Sequence, residues 1–115
     1  MIEISKELLS EVLDEKISEI LPDRKIIGSE KTLEYVAENS FRPYNYINIY
    51  ELANKCKEWA ENKDYYIVSG TWALQGEKQK ACIIGKPKPL ENFIANTEVE
   101  AIFKACEWIL KEINK

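Results

Sequence analysis

Two amphipathic stretches constrain what this chain can fold into more than any other feature. From Ile49 onward, Leu52, Ala53, Cys56, Trp59 and Ala60 recur at the three- and four-residue intervals of one helix face. Asn48 stands just before this run and Glu51 three residues after Asn48. That is the spacing at which an N-cap side chain accepts from an early amide while a glutamate reaches back. The pattern predicts a helix from Ile49 to Asn62. Val99, Ile102, Phe103, Cys106, Ile109, Leu110 and Ile113 repeat the arrangement behind Thr97 and Glu100, predicting a helix from Glu98 to Ile113. Glu51–Lys55, Glu100–Lys104 and Glu107–Lys111 add pairs in the favourable i,i+4 order. Helices with one apolar face must lay it on something, so the rest of the chain has to supply a surface.

That surface reads as β-sheet. Tyr65 to Trp72 and Lys80 to Gly85 are rich in aromatic and β-branched residues, and Leu74-Gln75-Gly76-Glu77 between them offers Gly76 for a positive φ. An antiparallel hairpin is expected. In its second run, Ala81 and Ile83 alternate with Cys82 and Ile84, so both faces are apolar, as in a central strand covered on each side. Nearer the N-terminus, Ser5 is placed to cap a helix starting at Lys6, with Leu8, Leu9, Val12 and Leu13 on its inner face. This helix either continues through Ile17 and Ile20 to Pro22, or ends near Leu13 and leaves Lys16 to Leu21 as a strand; the second reading is favoured. Thr32 to Ala37 is a further strand with Leu33, Tyr35 and Ala37 on one face, and Pro87 and Pro89 mark an irregular connector. The expected fold class is α+β in the order α-β-β-α-β-β-α, with three helices on an antiparallel sheet of about four strands and one domain over residues 1–115.

Composition narrows the function classes. An apolar share of 45% with 31% charged residues belongs to a globular chain that builds a core. The net charge of −4 opposes non-specific binding to phosphate backbones. No apolar run is long enough to span a bilayer, and Met1-Ile2-Glu3-Ile4 lacks the features of a secretory signal, so no membrane partner is expected. Cys56, Cys82 and Cys106 are too few and too scattered for a disulfide framework, which points to reduced thiols in a cytoplasmic protein. Each lies in an apolar pattern, and without a C-x-x-C pair they read as small buried hydrophobes rather than zinc ligands. The chain has no histidine, hence neither the usual general base nor the commonest metal ligand. Gly28, Gly70, Gly76 and Gly85 build no phosphate loop. No catalytic, cofactor or metal site is expected, although a carboxylate- or lysine-based enzyme stays open as an alternative.

Three groups of residues are candidates for recognition. Phe41-Arg42-Pro43-Tyr44-Asn45-Tyr46-Ile47-Asn48-Ile49-Tyr50 concentrates aromatics with Arg and Asn, a composition suited to a protein-binding patch through Arg42, Tyr44, Tyr46 and Tyr50. The equal alternative is that Phe41, Tyr46 and Ile47 staple the following helix to the sheet. Glu3, Glu7, Glu11 and Glu15 would form an acidic ladder on a continuous helix, with Glu7 and Glu11 able to meet a basic protein surface. The plainer reading, in which early acids suit the helix dipole and the row breaks at Leu13, is favoured. Lys78, Lys80, Lys86 and Lys88 gather around one strand and form the nucleic-acid alternative, set against a solvated edge that discourages sheet-to-sheet pairing.

Lys55-Cys56-Lys57-Glu58-Trp59 and Lys104-Ala105-Cys106-Glu107-Trp108 echo one another, but their Cys-to-Trp spacing differs and the echo reads as coincidence. The run Asn48 to Ala60 followed by Tyr65 to Ser69, the run Thr97 to Leu110, and the opening Ile4 to Leu13 resemble small uncharacterised proteins encoded by bacterial prophages. More loosely, the helix–hairpin–helix half is similar to the phage ABA (α-β-α) sandwich domain. The resemblance implies a phage or mobile-element origin and carries no catalytic residues with it. The expectation is a non-enzymatic protein that acts on a host protein by direct contact, for instance an inhibitor of a host defence system such as an anti-CRISPR. The partner's identity and the oligomeric state are left open by the residues.

Overall fold

The first helix stops at Leu13 because Asp14 turns the chain into the left-handed region, φ 52° and ψ 44°. The Asp14 N–H then donates to the Glu11 carbonyl at 3.4 Å and the Glu15 N–H to the Ser10 carbonyl at 3.2 Å, the paired bonds of a Schellman ending. The computed structural model describes residues 4–21, 32–38, 40–71, 79–85 and 89–115. Its elements are α1 (Lys6–Leu13), β1 (Ile17–Ile20), β2 (Thr32–Ala37), β3 (Asn45–Asn48), α2 (Ile49–Asn62), β4 (Tyr65–Thr71), β5 (Gln79–Gly85), β6 (Pro89–Ala95) and α3 (Glu98–Ile113).

The class is α+β with three helices and antiparallel strands, as the patterning implies, and both long helices have the expected bounds. Their caps form as well. Asn48 Oδ1 accepts from the Tyr50 and Glu51 amides at 2.9 and 3.3 Å, and Thr97 Oγ1 accepts from Glu100 at 3.2 Å.

The strand count and sheet number differ from expectation. Among the described residues the order is α-β-β-β-α-β-β-β-α, and the strands make two three-stranded sheets, β1-β2-β3 and β4-β5-β6, rather than one sheet of about four. The added strands are β3 and β6. β3 is four residues, two of them Asn, and its strand character comes from pairing with β2, Leu33 opposite Ile47 and Tyr35 opposite Asn45. β6 begins at Pro89, where a connector was expected; a proline is tolerated as the first residue of an edge strand, where it removes no needed donor. The turn at Leu74-Gln75-Gly76-Glu77 and the connector's Pro87 lie outside the described residues.

One hydrophobic cluster joins all three helices to both sheets, with Leu8, Leu9, Leu52, Cys56, Phe103, Cys106 and Ile109 fully buried. Burying a Leu or Phe side chain stabilises by about 1.5–3 kcal/mol, so these residues carry the fold. α3 lies across all three strands of the second sheet, α2 against β4 and β3, and α1 against β1 and both longer helices. In β1, Ile17 and Ile20 are three residues apart, which in a regular strand would put them on opposite faces. A register shift between Ile17 and Glu19 turns both inward, and the Ser18 hydroxyl donates to the Val36 carbonyl at 3.1 Å.

The two halves share one plan, a three-stranded antiparallel meander followed by a helix. Aligned on their caps, Glu51 and Glu100, Lys55 and Lys104, and Trp59 and Trp108 fall at matching positions, so the sequence echo has a counterpart in the architecture. The environments differ. Trp59 is buried, whereas Trp108 is partly buried against Tyr65 and Phe93, with ring centroids 6.1 and 6.4 Å away.

Candidate functional site

Ser40 shapes the segment that leads into β3. Its hydroxyl accepts from the Arg42 amide at 3.2 Å and from Asn45 Nδ2 at 3.3 Å, fastening the chain across five residues. The loop so held presents Phe41 and Arg42 to solvent, Phe41 without any cover. In β3 the two-residue alternation then buries Ile47 and turns Tyr46 out, 63% exposed. At the start of α2, Ile49 is buried and Tyr50, 53% exposed, faces solvent. Tyr44 is exposed too.

These placements decide between the two readings of this segment. Ile47 and Leu52 stand at the N′ and N4 positions of α2 and both belong to the core, so Ile47 does the stapling. Phe41 and Tyr46 take no part in it. Arg42, Tyr44, Tyr46 and Tyr50 are displayed on the buried anchors Ile47 and Ile49. Trp108, packed against Tyr65 and Phe93, does not join them.

Glu7 and Glu11 are exposed on α1. The acidic ladder itself is broken, since Glu15 follows the left-handed Asp14 and Glu3 lies outside the described residues. Glu7, Glu11, Asp14 and Glu15 instead line a groove of about 590 Å³, with Ile17 and Leu110 supplying apolar surface and Lys6 and Lys16 the opposite charge. A second groove of about 340 Å³ is lined by Glu15, Lys16, Glu38, Phe41, Arg42 and Asn45 among others. Glu15 and Lys16 belong to both. The tertiary structure thus makes neighbours of two groups that sequence treats as unrelated, the α1 acids and the Arg42 loop. Glu15 and Lys16 are the residues that sequence reading missed as members of this surface. The only trace of them was Glu15's place in the acidic row.

Two contacts organise the junction. Tyr35, buried on the inner face of β2, has its pKa raised by burial first and then by the charge and the hydrogen-bonding capacity of the nearby Glu15 carboxylate. Lys16 lies 3.8 Å from Glu38 with both side chains largely in water, a pairing that adds little stability. Two of the expected i,i+4 partners have other uses: Glu107 accepts from Ser5, and Lys104 donates to the Ile94 carbonyl at 3.3 Å.

The remaining candidates are placed as follows. Lys78, Lys86 and Lys88 lie outside the described residues. Lys80 is in β5, the middle strand of its sheet, so it guards no edge. Cys56 and Cys106 meet where α2 crosses α3: both are buried, and the Cys106 thiol donates to the Cys56 carbonyl at 3.6 Å. Among the described residues no group of three or more Cys, Asp or Glu side chains is arranged to hold a metal ion, and no helix is long and apolar enough to cross a membrane. Compared with protein-family models, curated proteins and solved structures, the chain matches none.

Proposed function

We propose that this protein is a non-enzymatic, phage- or prophage-type protein that works in the cytoplasm by binding a host protein. The observation that carries this reading is the exposure of Phe41, Arg42, Tyr44, Tyr46 and Tyr50 within ten residues, with Phe41 and Arg42 lining a groove that shares Glu15 and Lys16 with a second one. Tyr and Arg are the residues that most often anchor protein interfaces, because they combine large contact area with a polar end. The buried supports Ile47 and Ile49 hold them in place before binding, which lowers the ordering cost of association. The carboxylates of Glu7 and Glu11 on the adjoining groove favour a partner with a basic surface and speed its approach. Inhibition of a host defence complex, as an anti-CRISPR protein does, is one form this activity takes.

The test is co-migration on gel filtration with purified defence complexes that expose basic surfaces. The wild-type protein should form a complex, and Tyr46→Ala with Tyr50→Ala should weaken it without loss of the folded circular dichroism spectrum. Failure to bind across such complexes would remove the reading. A nucleic-acid partner centred on Lys80 would show in the same samples as a mobility shift of labelled DNA or RNA that vanishes with added salt.

A further inference from the structure

Three elements meet along one side of α1. Glu7, Glu11 and Asp14 stand at i, i+4 and i+7, on one stripe of that helix. The turn at Asp14 brings Ile17 back beside them, and Leu110 of α3 closes the third side of the groove of about 590 Å³. The Ser10 hydroxyl ties two of these walls together: it donates to the Lys6 carbonyl at 2.8 Å and accepts from the Ile17 amide at 3.2 Å. With Glu15 the groove holds four carboxylates against the ammonium groups of Lys6 and Lys16, and Lys16 leans to Glu38 outside it, 3.8 Å away. Among the described residues, Glu7, Glu11 and Asp14 make neither an ion pair nor a side-chain hydrogen bond. Like charges at this spacing repel, and Asp14 also sits at the negative end of α1, so the row costs stability and the fold supplies nothing to offset it.

We propose that this groove receives an extended segment of the host protein that carries lysine or arginine at alternate positions with apolar residues between them. The proposal rests on the host-protein reading and narrows its partner. Charge complementarity selects the occupant: a basic segment supplies the cations that Glu7, Glu11 and Asp14 lack, whereas nucleic acid and a second copy of this chain, with its net charge of −4, are repelled. The spacing fits as well. Glu7 and Glu11 are separated by about 6 Å along the helix axis. Alternate side chains of an extended chain are about 6.6 Å apart, so two successive basic residues meet successive carboxylates. Ile17 and Leu110 give the intervening apolar residues and the methylene stems of the basic ones a surface to lie on. The carboxylates are strung along a helix rather than gathered around a point, and among the described residues no acidic group is arranged to hold a metal ion.

Fluorescence anisotropy of the full chain with a labelled peptide of alternating lysine and leucine tests the proposal, with alternating glutamate and leucine as control. The lysine peptide should bind, shifting the Ile17 and Leu110 amide resonances, and the glutamate peptide should not. Glu7→Gln with Glu11→Gln, shown folded by circular dichroism, should weaken binding roughly tenfold, the effect of two exposed ion pairs. Glu58→Gln with Glu61→Gln makes the same change in net charge on exposed positions of α2 outside the groove, and should leave the affinity as it was. Asp14→Asn should bind the peptide less tightly while resisting urea better. Equal losses from the two double variants would reduce the attraction to net charge and overturn the proposal. Complete displacement by equimolar spermine, which has the charge without the apolar residues, would overturn it too. A host complex that depends on Tyr46 and Tyr50 but ignores Glu7→Gln with Glu11→Gln would sink the groove assignment and leave the host-protein reading standing. Peptide binding as expected without any host complex would do the reverse.

Discussion

Ser5 and Glu107, 102 residues apart in the chain, are joined by two hydrogen bonds: the Ser5 amide donates to one carboxylate oxygen at 3.0 Å and its hydroxyl to the other at 2.7 Å. The same Ser5 oxygen accepts from the Leu8 amide at 3.0 Å, so one side chain caps α1 and fastens it to α3. Hydrogen bonds to a charged group contribute about 1.5–3 kcal/mol, and loss of an N-cap serine costs about 1 kcal/mol. Glu107→Ala and Ser5→Ala should each lower the urea midpoint. Because they remove the same link, the double variant should lose less than the summed effect. Strict additivity in that cycle would show that the two residues are not coupled.

Tyr35 makes stability fall at high pH. Burial first, and then the nearby Glu15 carboxylate, hold its pKa above the ordinary 10.0, so the folded state grips the phenolic proton more tightly than the unfolded state does. This contribution is complete below the unfolded value of about 10 and is lost as pH rises through the folded one. Urea unfolding of the wild type should show a decline in stability above roughly pH 10, and Tyr35→Phe should show a shallower one. Equal slopes in the two proteins would remove Tyr35 as the cause.

The thiols of Cys56 and Cys106 should be inert in the folded protein. Cys106 is pushed well above the usual thiol range by its hydrogen bond with Cys56, then by burial and by the nearby Glu107 carboxylate. A neutral, inaccessible thiol is a poor nucleophile. With Cys82→Ser as background, a thiol reagent should label neither cysteine until denaturant is added, and then both. Rapid labelling of the native protein would contradict the packing of α2 on α3.

Asp14 carries two local penalties: a side chain in the left-handed region and a carboxylate at the negative end of α1. Asp14→Asn removes the charge and keeps a residue that tolerates this backbone; Asp14→Gly removes both penalties. Each should stabilise by about 0.5–1 kcal/mol, read as a higher urea midpoint. A lower midpoint for both would mean that the carboxylate makes a compensating contact.

Much of the candidate surface was legible in the chain, because an aromatic and arginine-rich run shows in composition alone. Which of its residues would serve the core was not. Ile47 staples α2 while Phe41 faces water, a choice made by the pairing of β3 with β2. The link from that run to Glu7 and Glu11 passes through Glu15 and Lys16, whose place depends on the left-handed turn at Asp14 and the re-phased strand behind it.

By itself the sequence determined the helices. Their apolar period and their N-caps are written within a turn or two of the residues concerned, and helical hydrogen bonds close over four residues; where the first one ends, open between two readings, was decided by the left-handed turn at Asp14. The division of the strands among the described residues into two sheets was decided only in three dimensions, as was the exposure of Tyr66, Val68 and Ile94. A strand's hydrogen bonds go to another segment, so its partner, its register and the side left uncovered follow from which segments meet once the helices have packed.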